Sequence, residues 1–158
     1  MKPIRLAVIG AGLIGAKHTE LITKHEDVEL VGICDVDNNL DKLARKLKVS
    51  FYNQVEDLLE SQKPDGVIIS TPNDEHESVV EVCAKNKVDM LIEKPIADTI
   101  SSADRIIKIV DEEHVNVLIG HHRRHSSLIK KTRLLIQNGT LGKLIGVSML
   151  WTLFKPDK

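Results

Sequence analysis

Gly10, Gly12 and Gly15 fall in the spacing GxGxxG, between the apolar run Ile4–Ile9 and a helical stretch from Leu13 to about His25. In that position each glycine has a task. The first permits a tight turn, the second lets a pyrophosphate reach the backbone, and the third lets helix pack on strand. Leu13 and Ile14 complete the loop, whose unpaired N–H groups lie at the positive end of the helix dipole and favour a diphosphate. Asp35 closes the next apolar run, 20 residues after Gly15. A carboxylate there accepts hydrogen bonds from adenosine ribose hydroxyls. It also repels a 2′-phosphate, and Val36 brings no cation to offset this, so NAD is expected rather than NADP. Lys42 and Arg45 read as a solvated helix face.

Two further polar segments follow apolar runs: Thr71-Pro72-Asn73-Asp74-Glu75-His76 after Gly66–Ser70, and Glu93-Lys94-Pro95 after Val88–Ile92. Both fall at the carboxyl edge of the implied sheet, where ligands bind in open α/β folds. A cis Lys94–Pro95 bond is expected, because X-Pro is the bond where cis is cheap. His121, His122 and His125 are candidate metal ligands by type. A zinc site needs three or four converging donors, and no cysteine or second spaced histidine pair accompanies these, so no metal is expected.

The elements that must position these residues are legible from the changing period of the apolar positions. Val28–Cys34 and Val115–Ile119 add to the strand-like runs, while Leu40, Leu43, Ala44 and Leu47 mark one helical face. Ala103, Ile106, Ile107 and Val110 repeat that spacing, and a further helix is expected over about 75–86. Alternation of strand and helix implies an α/β fold, a doubly wound parallel sheet of the Rossmann dinucleotide-binding type. After Gly120 come the basic cluster His121–His125, a helix over about 126–138 ended by Asn138-Gly139, and a long apolar strand over 143–154.

Composition excludes several classes. The 158 residues are 42% apolar and 28% charged, with no low-complexity segment, which is ordinary globular usage. No apolar run reaches the roughly 20 residues of a membrane helix, and the N-terminus lacks signal-peptide features. Two cysteines, Cys34 and Cys83, give no disulfide framework, and a cytoplasmic location is expected. Residues 1–120 carry 14 Lys and Arg against 22 Asp and Glu; residues 121–158 carry 8 against 1. The basic segment lacks interleaved aromatics and any nucleic-acid motif, so no nucleic-acid partner is expected.

In combination, GAGLIGAKH at 10–18, Asp35, TPNDEH at 71–76, EKP at 93–95 and GHHRRH at 120–125 resemble the Gfo/Idh/MocA oxidoreductases, a family of sugar and inositol dehydrogenases. The resemblance covers about residues 3–155. It implies a dinucleotide-binding domain over 1–121, then the crossing helix and first strand of a truncated second domain over 122–158. It implies that Gly10, Gly12, Leu13, Ile14 and Gly15 hold the pyrophosphate and Asp35 the ribose. Thr71, Pro72, Asn73 and His76 would flank the nicotinamide side, with Glu93 near the nicotinamide ribose. Lys94 would be the active-site lysine, bonding the substrate hydroxyl, and Arg123 would reach the substrate. The histidines at 121, 122 and 125 depart from the family's usual aromatic or amide residues, which leaves the substrate open.

The implied activity is NAD-dependent hydride transfer from a carbinol carbon of a sugar, polyol or inositol-like small molecule. The family's base, a histidine in Asp-x-x-x-His, has no counterpart, since no histidine follows His125. The chain is therefore expected to be a cofactor-binding fragment with weak or no activity. The alternatives are a freestanding NAD-binding regulatory module and a DNA-associated redox sensor. Self-association through residues 143–154 is expected, because an apolar strand without a neighbour is an association hazard.

Overall fold

A computed structural model describes residues 2–150 and Thr152. The chain divides into two compact units, Met1–Gly120 and His121–Lys158. In the first, strands β1 (Ile4–Ile9), β2 (Val28–Cys34), β3 (Ser50–Tyr52), β4 (Gly66–Ile69), β5 (Asp89–Ile92) and β6 (Val117–Ile119) form one sheet. Its order is β3-β2-β1-β4-β5-β6 and every pairing is parallel. The order reverses between β1 and β4, which creates the crevice where such sheets bind ligands.

Helices α1 (Leu13–Ile22), α2 (Asp41–Leu47), α3 (Val55–Gln62), α4 (His76–Lys85) and α5 (Ile100–Glu113) connect the strands. Two apolar clusters cover the two sheet faces. Val8, Leu30, Ile33 and Ile68 meet Ile22 of α1 and Ala44 of α2 on one side. Ala7, Ile9, Ile69 and Ile92 meet Leu58, Val80, Cys83 and Ile106 from α3, α4 and α5 on the other. Strands buried on both faces need nearly continuous apolar runs, which is why β1, β2 and β4 carry them. Ile9, Ile33, Ile69 and Ile92 are fully buried at or next to the carboxyl ends of their strands. At about 2 kcal/mol each, their burial fixes the points from which the polar loops leave the sheet.

The doubly wound sheet agrees with the sequence reading, and so does the α2 face, where Leu40, Leu43 and Leu47 pack around Ala44. Three details differ. Strand β3 and helix α3 are present where no element was expected; three residues give too little period to see. On α5, Ile107 is half exposed and Ile109 packs inward instead. The strand expected over 143–154 has no ladder in its described part, residues 143–150 and 152, because a strand exists only with a hydrogen-bonded neighbour. Trp151, Leu153 and Phe154 lie outside the described residues.

The second unit holds a 3₁₀ turn, His122–His125, and helix α6 (Ser127–Gln137). Ser126 caps α6, its Oγ accepting the Ile129 N–H at 3.2 Å. Gly139 follows the helix at φ +74°, the left-handed stop that Asn138-Gly139 implied. No residue of α6 is buried.

Candidate functional site

The carboxyl ends of β1, β2, β4, β5 and β6 present Gly10, Asp35, Ser70-Thr71, Glu93-Lys94 and Gly120 along one edge of the sheet. Gly10 adopts φ +82°, and a Cβ there would stand 2.6 Å from the Thr71 nitrogen. A Cβ on Gly15 would stand 1.9 Å from the Gly10 carbonyl oxygen, so α1 presses directly on the loop that precedes it. Gly12 is the opposite case: a Cβ there would meet nothing within 4 Å. The loop is closed on the protein side and open on the outer one.

No side chain caps α1, its first turn carries no acid, and its first bond runs from the Ala16 N–H to the Gly12 oxygen at 2.8 Å. The amides of Leu13, Ile14 and Gly15 therefore have no acceptor among the described residues. Unpaired first-turn amides beside an open glycine suit a diphosphate. Leu13 and Ile14 are exposed at the lip.

Asp35 braces the loop from the next strand. Its Oδ2 accepts the Ala11 N–H at 2.7 Å and its Oδ1 the Asp37 N–H at 2.9 Å. Each carboxylate oxygen has a second lone pair left for a hydroxyl. Asn53, unmarked by the sequence reading, donates from Nδ2 to the Asp35 carbonyl and to Asn38 Oδ1, both at 2.9 Å. Between these loops and α4 lies a cleft of about 580 Å³ lined by Gly10, Gly12, Asp35, Val36, Thr71, Pro72 and Val79 among others. That volume lies within the range of cofactor pockets. Thr71 Oγ1, buried at its margin, has no hydrogen-bond partner among the described residues. The open cradle at Gly12, the orphaned amides and the orphaned hydroxyl are what a dinucleotide's phosphates and ribose would satisfy.

The β1, β4 and β5 loops are tied together from below. Ser70 Oγ donates to the Gly10 oxygen at 2.7 Å. His76 is fully buried, its Nδ1 3.1 Å from the Ile96 oxygen and its Nε2 3.2 Å from the Thr71 oxygen. The imidazole thus sits beneath the site as a strut between two loops, not on its surface. Pro72 and Asn73 are exposed. The Lys94–Pro95 bond is cis, as expected.

Glu93 is half of a side-chain pair that the motif reading did not resolve. His18 Nε2 lies 2.9 Å from Glu93 Oε1, and Glu93 Oε2 accepts the Lys94 N–H at 3.2 Å. Burial pushes the Glu93 carboxyl up, but the His18 bond, the Lys94 amide and the charges of both neighbours outweigh it. The net result holds it below the ordinary carboxylate range. Lys94 is exposed, and its ammonium makes no hydrogen bond among the described residues. Burial pushes the thiols of Cys34 and Cys83 up to about 12, which makes them inert.

Arg123 lies in the second unit, exposed on the His122–His125 turn, where its carbonyl accepts the Ser126 N–H at 3.1 Å. His121, His122 and His125 are exposed there too. Among the described residues no three His, Cys, Asp or Glu side chains gather as metal ligands, and no helix is long and apolar enough to cross a membrane.

Comparison with known proteins places this edge in context. The Gfo/Idh/MocA family model, described as an oxidoreductase family with an NAD-binding Rossmann fold, matches residues 4–121. The chain is 32% identical over 142 residues to myo-inositol 2-dehydrogenase of Thermotoga maritima, covering 89% of this chain and 42% of that protein. It is 29% identical over 142 residues to 2,7-anhydro-N-acetylneuraminate hydratase of Escherichia coli, covering 90% and 38%. Among solved structures, myo-inositol 2-dehydrogenase of Lactobacillus plantarum superposes with a TM-score of 0.85 at 26% identity, covering 91% of this chain and 44% of that one. The chain thus spans less than half the length of these relatives.

Proposed function

We propose, for a chain that belongs to the Gfo/Idh/MocA oxidoreductase family and carries its NAD-binding Rossmann domain, that it serves oxidation of a carbinol carbon on a sugar, polyol or inositol-like substrate. The observation that carries this reading is the shared edge: an open phosphate cradle at Gly12 and an exposed Lys94 ammonium leave the same side of one sheet. Gly10, Gly12, Leu13, Ile14 and Gly15 hold the diphosphate, Asp35 the adenosine ribose, and Glu93 the nicotinamide ribose. Thr71, Pro72 and Asn73 line the nicotinamide side, and His76 supports them from beneath. When bound, NAD supplies a nicotinamide that accepts hydride from the substrate carbon.

The protein's own part is orientation and electrostatics. Lys94 donates to the substrate hydroxyl and lowers the energy of the alkoxide that develops as the C–H bond breaks. Glu93, held ionised by His18 and the Lys94 amide, keeps a negative charge beside that lysine. Arg123 and the histidines around it are the second unit's candidates for contact with a polyol substrate. Residues 1–158 contain no Asp-x-x-x-His motif to take the proton, and slow turnover is the expected behaviour of these residues on their own. Residues 122–158, whose described part holds α6, are read as belonging to a second domain.

The test is NADH binding by fluorescence together with NAD-dependent turnover of myo-inositol and other polyols. The expected result is NADH binding with slow turnover, and a Lys94→Ala variant that binds NADH as before but turns over about a hundredfold more slowly. Equal turnover by Lys94→Ala would remove the catalytic assignment. Binding without any Lys94-dependent turnover would favour the regulatory module instead.

The chain also self-associates through residues 143–154. Leu144, Ile145, Val147, Met149 and Leu150 are exposed and unpaired in a row, an apolar stretch with open backbone groups. Light scattering should give a dimer or larger, lost on deleting 143–158 with NADH binding kept. A monomeric full chain would end this claim.

A further inference from the structure

Building on the cofactor reading above, we propose that His18 is a positioning residue, which fixes the nicotinamide-side edge of the site through its bond to Glu93. The two side chains meet at 2.9 Å across 75 residues of sequence, and they are only 19% and 17% exposed. Glu93 is ionised near neutral pH, so its oxygens can only accept, and His18 Nε2 carries the donated proton. The other carboxylate oxygen takes the Lys94 N–H. On the third side Gly120 makes room: a Cβ there would stand 3.1 Å from Oε1 and 3.2 Å from Oε2.

Two hydrogen bonds and the close approach of the Gly120 backbone thus leave the carboxylate one orientation. Two of these three contacts are backbone, and His18 is the only side chain among them. Without it, Glu93 keeps a single long amide bond, and Lys94, the next residue, loses the anchor of its own N–H. The helix that carries His18 is the one that opens at Gly12. One side-chain bond therefore joins the phosphate end of the site to the lysine turn. Packing alone does not account for it, since an apolar residue of similar volume would fill the space but leave the half-buried carboxylate short of a donor.

The experiment compares the wild-type chain, His18→Leu and His18→Gln. Leucine keeps volume without a donor, while the glutamine amide places a neutral donor at about the depth of Nε2. NADH and AMP affinities are measured, AMP probing the adenosine half alone, together with exchange of the Lys94 amide in the cofactor-free protein. His18→Leu should weaken NADH about tenfold, as loss of a residue that orients a ligand-binding group does. It should leave AMP affinity unchanged and accelerate Lys94 amide exchange, and His18→Gln should restore both. Wild-type NADH affinity and Lys94 exchange in His18→Leu, or a glutamine no better than leucine, would overturn the proposal. Wild type that binds neither NADH nor AMP would overturn the cofactor reading instead, and the Lys94 exchange would still judge His18.

Discussion

The two halves of the sheet edge are built from different materials. On the adenosine side the tightest contacts are backbone against backbone, Gly10 against the Thr71 nitrogen and Gly15 against the Gly10 carbonyl, with the Asp35 carboxylate accepting the Ala11 and Asp37 amides. On the nicotinamide side they are side chain to side chain or side chain to backbone: His18 to Glu93, and His76 to the Thr71 and Ile96 carbonyls. Backbone contacts impose residue types at fixed spacing, because only glycine lacks the Cβ that would collide. Side-chain contacts tolerate many spacings, because the partners meet only after the sheet has formed. The first half should therefore fail abruptly on substitution and the second by degrees.

The sharpest test of that contrast lies within the glycine loop. Gly15→Ala puts a methyl 1.9 Å from the Gly10 oxygen and must push α1 away from the sheet. A loss of about 3 kcal/mol or more of folding stability is expected in denaturant titration. Gly12→Ala, with nothing within 4 Å, should keep the stability of the wild type and lose NADH affinity at least about tenfold. Equal stability losses in the two variants would break the comparison.

A smaller effect belongs to Asp35. Thermal shift should show NAD stabilising the chain more than NADP, since only NAD avoids a phosphate against that carboxylate. Asp35→Ser should narrow the gap while lowering the ligand-free melting temperature, because the Ala11 and Asp37 amides lose their acceptor. NADP equal to NAD in wild type would remove the preference.

The smallest effect is the pH dependence of the Glu93 pair. The folded carboxyl is held below its unfolded value, so its contribution is fully present above the ordinary carboxylate range. That contribution is lost as pH falls from there through the lower folded value. In urea titrations over that range wild type should lose more stability than Glu93→Gln. Parallel acid limbs would mean the pair contributes nothing to the fold.

The fold was largely legible, since short apolar runs bounded by turn residues and alternating with helical spacing read as strands buried on both faces. Helix α3 was legible too in retrospect: Val55, Leu58, Leu59 and Gln62 carry the helical spacing. The three-residue β3 beside it had no period to read. The part of the expected strand over 143–154 that is described, by contrast, is an apolar pattern without a ladder, because pairing is a property of two segments and a sequence shows one.

What the sequence determined by itself is the adenosine half of the site, the α/β class and the family. Glycine spacing and the strand-end Asp35 are local demands of backbone geometry, satisfied within a few residues of chain. What only the tertiary structure decided is which polar side chains face the ligand and which support it. His76 stands in the same motif as Thr71, yet it is buried beneath it, because α4 begins there and turns the ring inward to the Thr71 and Ile96 carbonyls. His18 meets Glu93 only because α1 packs over β1 and reaches β4, and β5 is the next strand over. Contacts across 20 and 75 residues leave no spacing to read; they exist because the sheet order brings the strand ends together.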